Sequence, residues 1–346
     1  MKRITRREAL TALATLATSA AGVAGVAGAA GAASALWPRH ARAQSSLPDT
    51  ARIIVGFPPG GAPDIVARRL SEQLAGQLAR AVVVENRPGA GGRIAVDAAR
   101  QSAADGTTLL LNPAGVLTIN PHTYRKLNYE PFKDFAPLSL AAQIDFGFGV
   151  GSAVPADVKT LADFATWAKA HAGKASYGSP AAGAVPHFVG DALNRALNLG
   201  MTHVPYRGGA PALNDLMGGT LASLVLTLGD MVQHAKAGRL RLLAASGPAR
   251  SRFAPEVPTF AEQGVKGLDL RDWFGVYIAG TPNAEVASRV GALVRTATAS
   301  AVYASALASS SLEAASSSAA ELDRLARSDL ERWAPIVKAS GFVADV

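Results

Sequence analysis

The chain has 346 residues, 17% of them charged, and no cysteine, which excludes disulfides, thiolate metal sites, a cysteine nucleophile and a lipidated-cysteine anchor. Its formal net charge of +8 is concentrated at the front: the first 43 residues hold six basic side chains against one acidic, and without them the balance is +3. That remainder has no basic stripe with interleaved aromatics, which argues against nucleic acid as a partner, whereas a modest positive balance suits an anionic small molecule.

Residues 1–43 read as an export signal, with basic "MKRITRREAL", apolar "TALATLATSAAGVAGVAGAAGAASAL" and "ARA" before Gln44. Few Leu or Val make the apolar part a poor membrane-spanning helix, so cleavage after Ala43 and a soluble, monomeric periplasmic protein are expected. Thr5-Arg6-Arg7 points to the twin-arginine route, although Ala9 stands where that signal has a large apolar residue.

From residue 52 the pattern alternates: "RIIVGF" as strand, "PDIVARRLSEQLAGQL" as helix, "AVVVEN" as strand, "GRIAVDAARQ" as helix, "TTLLLN" as strand. This βαβαβ order predicts a parallel, doubly wound sheet, with ligands beyond the carboxyl ends of the strands, where turns 58–64, 87–92 and 112–115 would converge. After "PFKDFAPLSLAAQ" the alternation restarts with "IDFGFGVG", "TLADFATWAKAH", "ASYGS" and "PHFVGDALNRALN". A second α/β lobe is therefore expected near residue 146, continuing through "LASLVLTLG" and "RLRLLAAS" to about residue 270. "DWFGVYIAG" would cross back, and "NAEVASRVGALVRTATASAVYASAL" and "AAELDRLARSDLERWAPIVKAS" would pack as helices on the first lobe. "ASSSLEAASSSAA" reads as loop plus helix N-cap. The expected organisation is a leader over 1–43, one lobe from 44–145 with 271–346, and a second from 146–270.

"VGFPPGGAPDIVARRL" runs from a strand through a Pro/Gly turn into a helix, and a helix start offers unpaired N–H groups and the positive end of the macrodipole to an anion. "GAGGRIA" lacks the spaced G-x-G-x-x-G, and neither glycine turn ends in Gly-Lys-Ser/Thr, so neither a dinucleotide nor a nucleotide triphosphate is expected, and no cofactor is assigned. Six scattered histidines form no metal-binding motif. Ser179 in "YGSPAAG" has His187 eight residues on, which leaves an exported serine hydrolase as an alternative if the fold brings the two together. The plainer role for Ser179 is a helix-entry hydroxyl. Asp64 reads first as a helix-capping carboxylate and His187 as a core hydrogen-bonding group; as a ligand contact, Asp64 would recognise an ammonium or hydroxyl.

Taken in order, "IIVGFPPGGAPDIVARRLSEQL", "VVVENRPGAGGRIA", "DGTTLLL", "ASYGSPAAGAVPHFVGDAL", "HVPYRGGAPALNDLMGGTLA", "PTFAEQG" and "WFGVYIAGTP" resemble the Bug-type receptors of tripartite tricarboxylate transporters across essentially the whole mature chain. The resemblance implies a two-lobed periplasmic binding protein, type II-like, each lobe a sheet flanked by helices with a ligand cleft between them. It implies no enzyme, but a receptor that closes on a small organic carboxylate and delivers it to membrane transporter subunits; a membrane sensor is the alternative partner. One jaw maps onto Phe57, Pro58, Pro59, Gly60, Gly61 and Asp64, with Pro63 at the first helical position in place of the family's commoner Thr. The other maps onto Gly178, Ser179, Ala181, Ala184 and His187, with Ala181 replacing a usual Gly and Ala184 a usual Ser. The hydroxyl missing at Ala184 implies a less polar ligand than usual. Ala222 stands where the family has Asp, leaving Asp230 as the nearest carboxylate, and Phe57 and Asn112 are placed on the pocket walls.

Overall fold

A computed structural model describes residues 47–268 and 270–344. The leader and its cleavage after Ala43 lie outside these residues. The described strands are β1 (Thr50–Val55), β2 (Ala81–Asn86), β3 (Thr108–Pro113), β4 (Phe135–Ile144), β5 (Phe146–Val150), β6 (Ser176–Ser179), β7 (Thr202–Pro205), β8 (Ser223–Thr227), β9 (Arg241–Ala245), β10 (Asp272–Ala279) and β11 (Glu313–Ala314). They form two sheets, ordered β11-β4-β10-β3-β1-β2 and β7-β6-β8-β5-β9.

In the first sheet β1 lies parallel to β2 and β3, and β10 runs antiparallel between β3 and β4. In the second, β6 is parallel to β7 and β8, and β5 runs antiparallel between β8 and β9. The near-continuous apolar runs of the central strands follow from burial on both faces. Ile53 and Val55 of β1 belong to one core cluster while Ile54 between them belongs to another, and Leu109, Leu110 and Leu111 of β3 divide the same way.

The helices are α1 (Ala62–Leu74), α2 (Arg93–Arg100), the single turns α3 (Gly115–Thr118), α4 (Asn120–Thr123) and α5 (Pro131–Asp134), then α6 (Leu161–Ala170), α7 (Val185–Leu197), α8 (Gly209–Gly218), α9 (Leu228–Lys236), α10 (Ala284–Ala299), α11 (Ala301–Ala308) and α12 (Ala319–Ser340). The long helix expected over 283–307 is two, bent by 56° where the Ser300 hydroxyl caps α11 at Tyr303 N. The Ser/Ala-rich stretch supplies β11 and then Ser318, whose side chain forms a capping box with Glu321 at the start of α12. The strand β4 has no counterpart in the sequence reading. It carries Pro137, and the β4–β10 ladder shifts register beside it, between Val276 and Tyr277, which is how a residue without an N–H is tolerated there.

The chain passes between the sheets at Asp145 and again at Arg271. These crossings are tied together: Arg271 Nε and Nη2 donate to the two carboxylate oxygens of Asp145 at 2.9 and 3.2 Å. Ser246 accepts from Phe146 N at 2.9 Å and donates to Leu270 O at 2.8 Å.

Candidate functional site

One cavity gathers residues that follow the carboxyl ends of parallel strands in both sheets: Phe57 after β1, Gly91 after β2, Pro180 after β6, Gly208 after β7, with Phe146 and Phe274 from the antiparallel strands. Its walls are largely apolar, and among the described residues no Lys, Arg or His lines it.

What it does offer is helix starts. Gly61, Ala184, Gly208 and Thr227 are the N-cap residues of α1, α7, α8 and α9, all four line the cavity, and none makes a side-chain capping bond. By contrast α6, α10, α11 and α12 begin elsewhere, and each is capped by a side chain, Thr160, Asn283, Ser300 and Ser318 respectively. First-turn N–H groups have no acceptor within their own helix; Leu228 N of α9 is taken by Asp145 O at 2.8 Å and Ala62 N of α1 by Asp230, so the open donors at this space are chiefly those at the starts of α7 and α8. Prolines fix the entries: Pro63 and Pro186 are the second residues of α1 and α7. The helix therefore starts one residue before Pro63 rather than at it, and the donor that Pro63 withholds is that of the second helical position.

The first jaw is held from behind. Asp64, 2% exposed, takes Gly60 N at 2.9 Å, Arg68 Nε at 2.8 Å and Asn86 Nδ2 at 2.9 Å, and Asn86 also donates to Phe57 O at 3.0 Å. Burial pushes the Asp64 carboxyl up, but the bonds from Arg68, Gly60 and Asn86 outweigh it and hold the pKa below the ordinary carboxylate value. Replacing Asp64 with alanine strands Gly60 N and one of the two N–H groups of Asn86 Nδ2, an expected loss of ~2 kcal/mol in chemical denaturation. An unchanged midpoint would show that the turn is held by other contacts.

The second jaw rests on two histidines. His187 Nδ1 accepts Gly183 N at 3.1 Å, and the His187 ring stacks on His203 with centroids 3.9 Å apart. Ser179 Oγ donates to Ala181 O at 3.0 Å and so accepts from His203 Nε2 at 2.8 Å. The carboxylate of Asp230 in α9 accepts from Ala62 N, the first amide of α1.

Of the residues singled out in the sequence, Phe57, Pro58, Pro59, Gly61, Ala184 and Asp230 line the cavity, and Gly60, Asp64, Asn112, Gly178, Ser179, Ala181 and His187 do not. Asn112 is turned to Gly56 N, at 3.2 Å, rather than to the pocket wall. Gly178 lies under Leu221 and Tyr206, where a Cβ would stand 2.6 Å from Leu221 Cδ2. Gly60, Asp64, Ala181 and His187 shape the turns behind the lining.

The Ser179–His187 pairing is corrected. Ser179 is completely buried, its partner is His203, and its single proton goes to a backbone carbonyl instead of to a base. The sequence reading missed Asp272, Phe146, Phe274 and the segment 208–211. For that segment a signal existed: the tetrapeptide Gly-Gly-Ala-Pro occurs at 60–63 and again at 208–211, and each copy opens a helix at the cavity. Among the described residues no three His, Asp or Glu side chains come together as metal donors.

Comparison with known proteins gives one consistent result. A protein of Pseudomonas sp. (strain P51), described as the UPF0065 protein in the tcbD-tcbE intergenic region, is 33% identical over 288 residues, 82% of this chain and 84% of its own. The solved periplasmic binding protein BugD is 27% identical with a TM-score of 0.80, covering 86% of this chain and 99% of its own. The structure described as R. palustris Rpa4515 with adipate is 26% identical with a TM-score of 0.81, covering 89% and 99%. The fold is that of these two-lobed binding proteins, and the relatives are solute-binding receptors rather than enzymes. The profile of the tripartite tricarboxylate transporter family receptor (TctC) matches residues 66–342, and the chain belongs to that family.

Proposed function

We propose that the protein is exported to the periplasm, closes its two lobes over a small organic carboxylate, and presents the closed complex to the membrane subunits of a tripartite transporter. The observation that carries this reading is the set of helix starts without side-chain caps on one cavity that, among the described residues, has no basic side chain. Backbone amides at helix N-termini bind a carboxylate without Arg or Lys. The adipate in the R. palustris neighbour supports a carboxylate as the cargo.

In this reading 146–270 moves as one body against 44–145 with 271–346, about the tied crossings at Asp145 and Arg271. Phe57, Pro58, Pro59, Gly61, Ala184 and Asp230 touch the ligand, while Asp64 and His187 position the turns. A ligand contacting both lobes favours the closed form by its differential affinity, and that form is the signal a membrane partner reads.

Mass spectrometry of small molecules released on denaturing the exported protein, purified without added ligand, is expected to find a stoichiometric carboxylate. Added back at a hundredfold excess over its Kd, that acid should stabilise the folded state by about 2.7 kcal/mol. An empty extract, followed by no thermal stabilisation across a panel of carboxylates, would overturn the reading.

A further inference from the structure

The last residues of the chain reach from one sheet's side to the other. Helix α12 ends at Gly341, whose φ of +67° suits glycine and turns the chain out of the helix. Ser340 Oγ donates to Val337 O at 2.7 Å and accepts from Phe342 N at 3.1 Å, which fixes that turn. Two residues on, Ala344 N donates to Thr123 O at 2.9 Å, and Ala344 bridges to Tyr124. Both ends of 341–344 are thus fastened to the first sheet's side, one by α12, which packs on β4 and α3, the other by residues 123–124.

Between these ties the Phe342 side chain crosses to the second sheet's side. Its ring stands edge-on to that of His187, with centroids 4.8 Å apart at 80°, and 6.0 Å from that of Phe188. It also covers Gly183, where a Cβ would stand 3.0 Å from Phe342 Cε1. Further along α7, Arg195 Nη1 donates to Ala339 O at 3.1 Å. Gly183 and Ala184 line the cavity and lead into the first turn of α7. Phe342 therefore sits behind the turn that offers donors to a ligand, against both partners of the bond from Gly183 N to His187 Nδ1.

The chain crosses between the sheets beside β5, and β8 lies between β5 and β6, the strand that feeds α7. The entry of α7 is thus about two strand spacings, ~10 Å, from β5. A rotation of 146–270 about the crossings draws that entry away from Phe342. We infer that residues 341–344 are a strap that latches the ligand-free protein in its closed form, with Phe342 as the contact residue. The inference rests on the two-lobed closure proposed above and adds what holds the closed form before a ligand arrives. Affinity for a ligand of the closed form scales with the fraction of protein already closed, so loosening the strap weakens binding by the same factor.

The test is distance measurement by pulsed electron paramagnetic resonance on the whole exported protein, stripped of ligand. The chain has no cysteine, so Gln77→Cys and Asn214→Cys, exposed positions after α1 and within α8, take spin labels at those two places alone. Gly208→Phe supplies the open reference: Gly208 meets Pro58 of the opposite jaw, where a Cβ would lie 3.0 Å from Pro58 Cγ, and a ring there wedges the jaws apart. Labelled protein with no further change is expected to show mainly the short distance, and Phe342→Ala to lower the ratio of short to long at least tenfold. A Phe342→Ala distribution that coincides with the unchanged protein, while the wedge lengthens the distance, overturns the strap and leaves two-lobed closure standing. So does a ligand-free protein that already shows the wedge's distance. A wedge that also leaves the distance short overturns both. Phe342→Leu, which keeps an apolar side chain and is expected to lower the ratio by a smaller factor, is read in the same way if the alanine variant does not fold.

Discussion

Replacing Asp272 with asparagine is expected to stabilise the unliganded protein at pH 8 by roughly 2–4 kcal/mol, and to flatten its loss of stability between pH 5 and pH 8. The folded pKa of Asp272, raised to about 7 by burial, lies above the unfolded value of 3.8. The folded state therefore binds this proton more tightly than the unfolded chain does. Stability from the group is fully present below the unfolded value and is lost as pH rises toward 7, where the buried carboxyl must ionise. Asparagine keeps the acceptor for Trp273 N and removes the ionisation. Urea denaturation of wild type and variant at both pH values checks this; parallel curves would mean that Asp272 ionises at no cost. A residue that lowers stability and faces a binding cavity is the pattern expected when a site is organised for a ligand rather than for the empty fold.

Asp272 also shows where the sequence runs out. The apolar runs "RIIVGF", "TTLLLN" and "DWFGVYIAG" are legible as strands because burial on two faces demands them, and "FPPGGAPD" is legible as a helix entry because of its Gly-Pro-Asp chemistry. What Asp272 faces depends on a second sheet and the helices that follow its strands, and no local periodicity encodes that. The same holds for Ser179 and His187. Their spacing suggested a pair, but the strand β7 brings His203 between them, so Ser179 bonds to His203 and His187 merely stacks on it. Asp64 was readable as a cap by residue type, yet its carboxylate satisfies the preceding Gly60 turn and Asn86 on β2 rather than its own helix start. Capping is where the sequence was most informative in hindsight. The helices whose entries carry Thr160, Asn283, Ser300 or Ser318 close themselves, and those entered through Gly61, Ala184 or Gly208 leave their donors for something else.

The opposite pH limb belongs to the histidine stack, and its expected effect is of similar size. His187 is pushed down to about 4 by burial, and His203 to about 3 by burial together with the neighbouring His187 ring. Both folded values lie below the unfolded 6.5, so the unfolded chain takes up protons first as pH falls, and stability is lost progressively from about pH 6.5 down to pH 4. For His187, which is 7% exposed, the shift corresponds to about 3 kcal/mol; the more exposed His203 adds a smaller, solvent-screened amount. Protonating His187 also has a local consequence, because Nδ1 then carries a proton and can no longer accept Gly183 N. Gly183 and Ala184 line the cavity, so ligand affinity should hold while stability falls, and drop only as pH nears 4, where the folded imidazole itself takes up a proton. His187→Gln, neutral at every pH and still able to accept through its side-chain carbonyl, should remove most of the acid loss of stability and hold affinity constant through pH 4, where wild type loses it. A variant that still loses affinity in step with wild type would place the acid sensitivity elsewhere than in this turn.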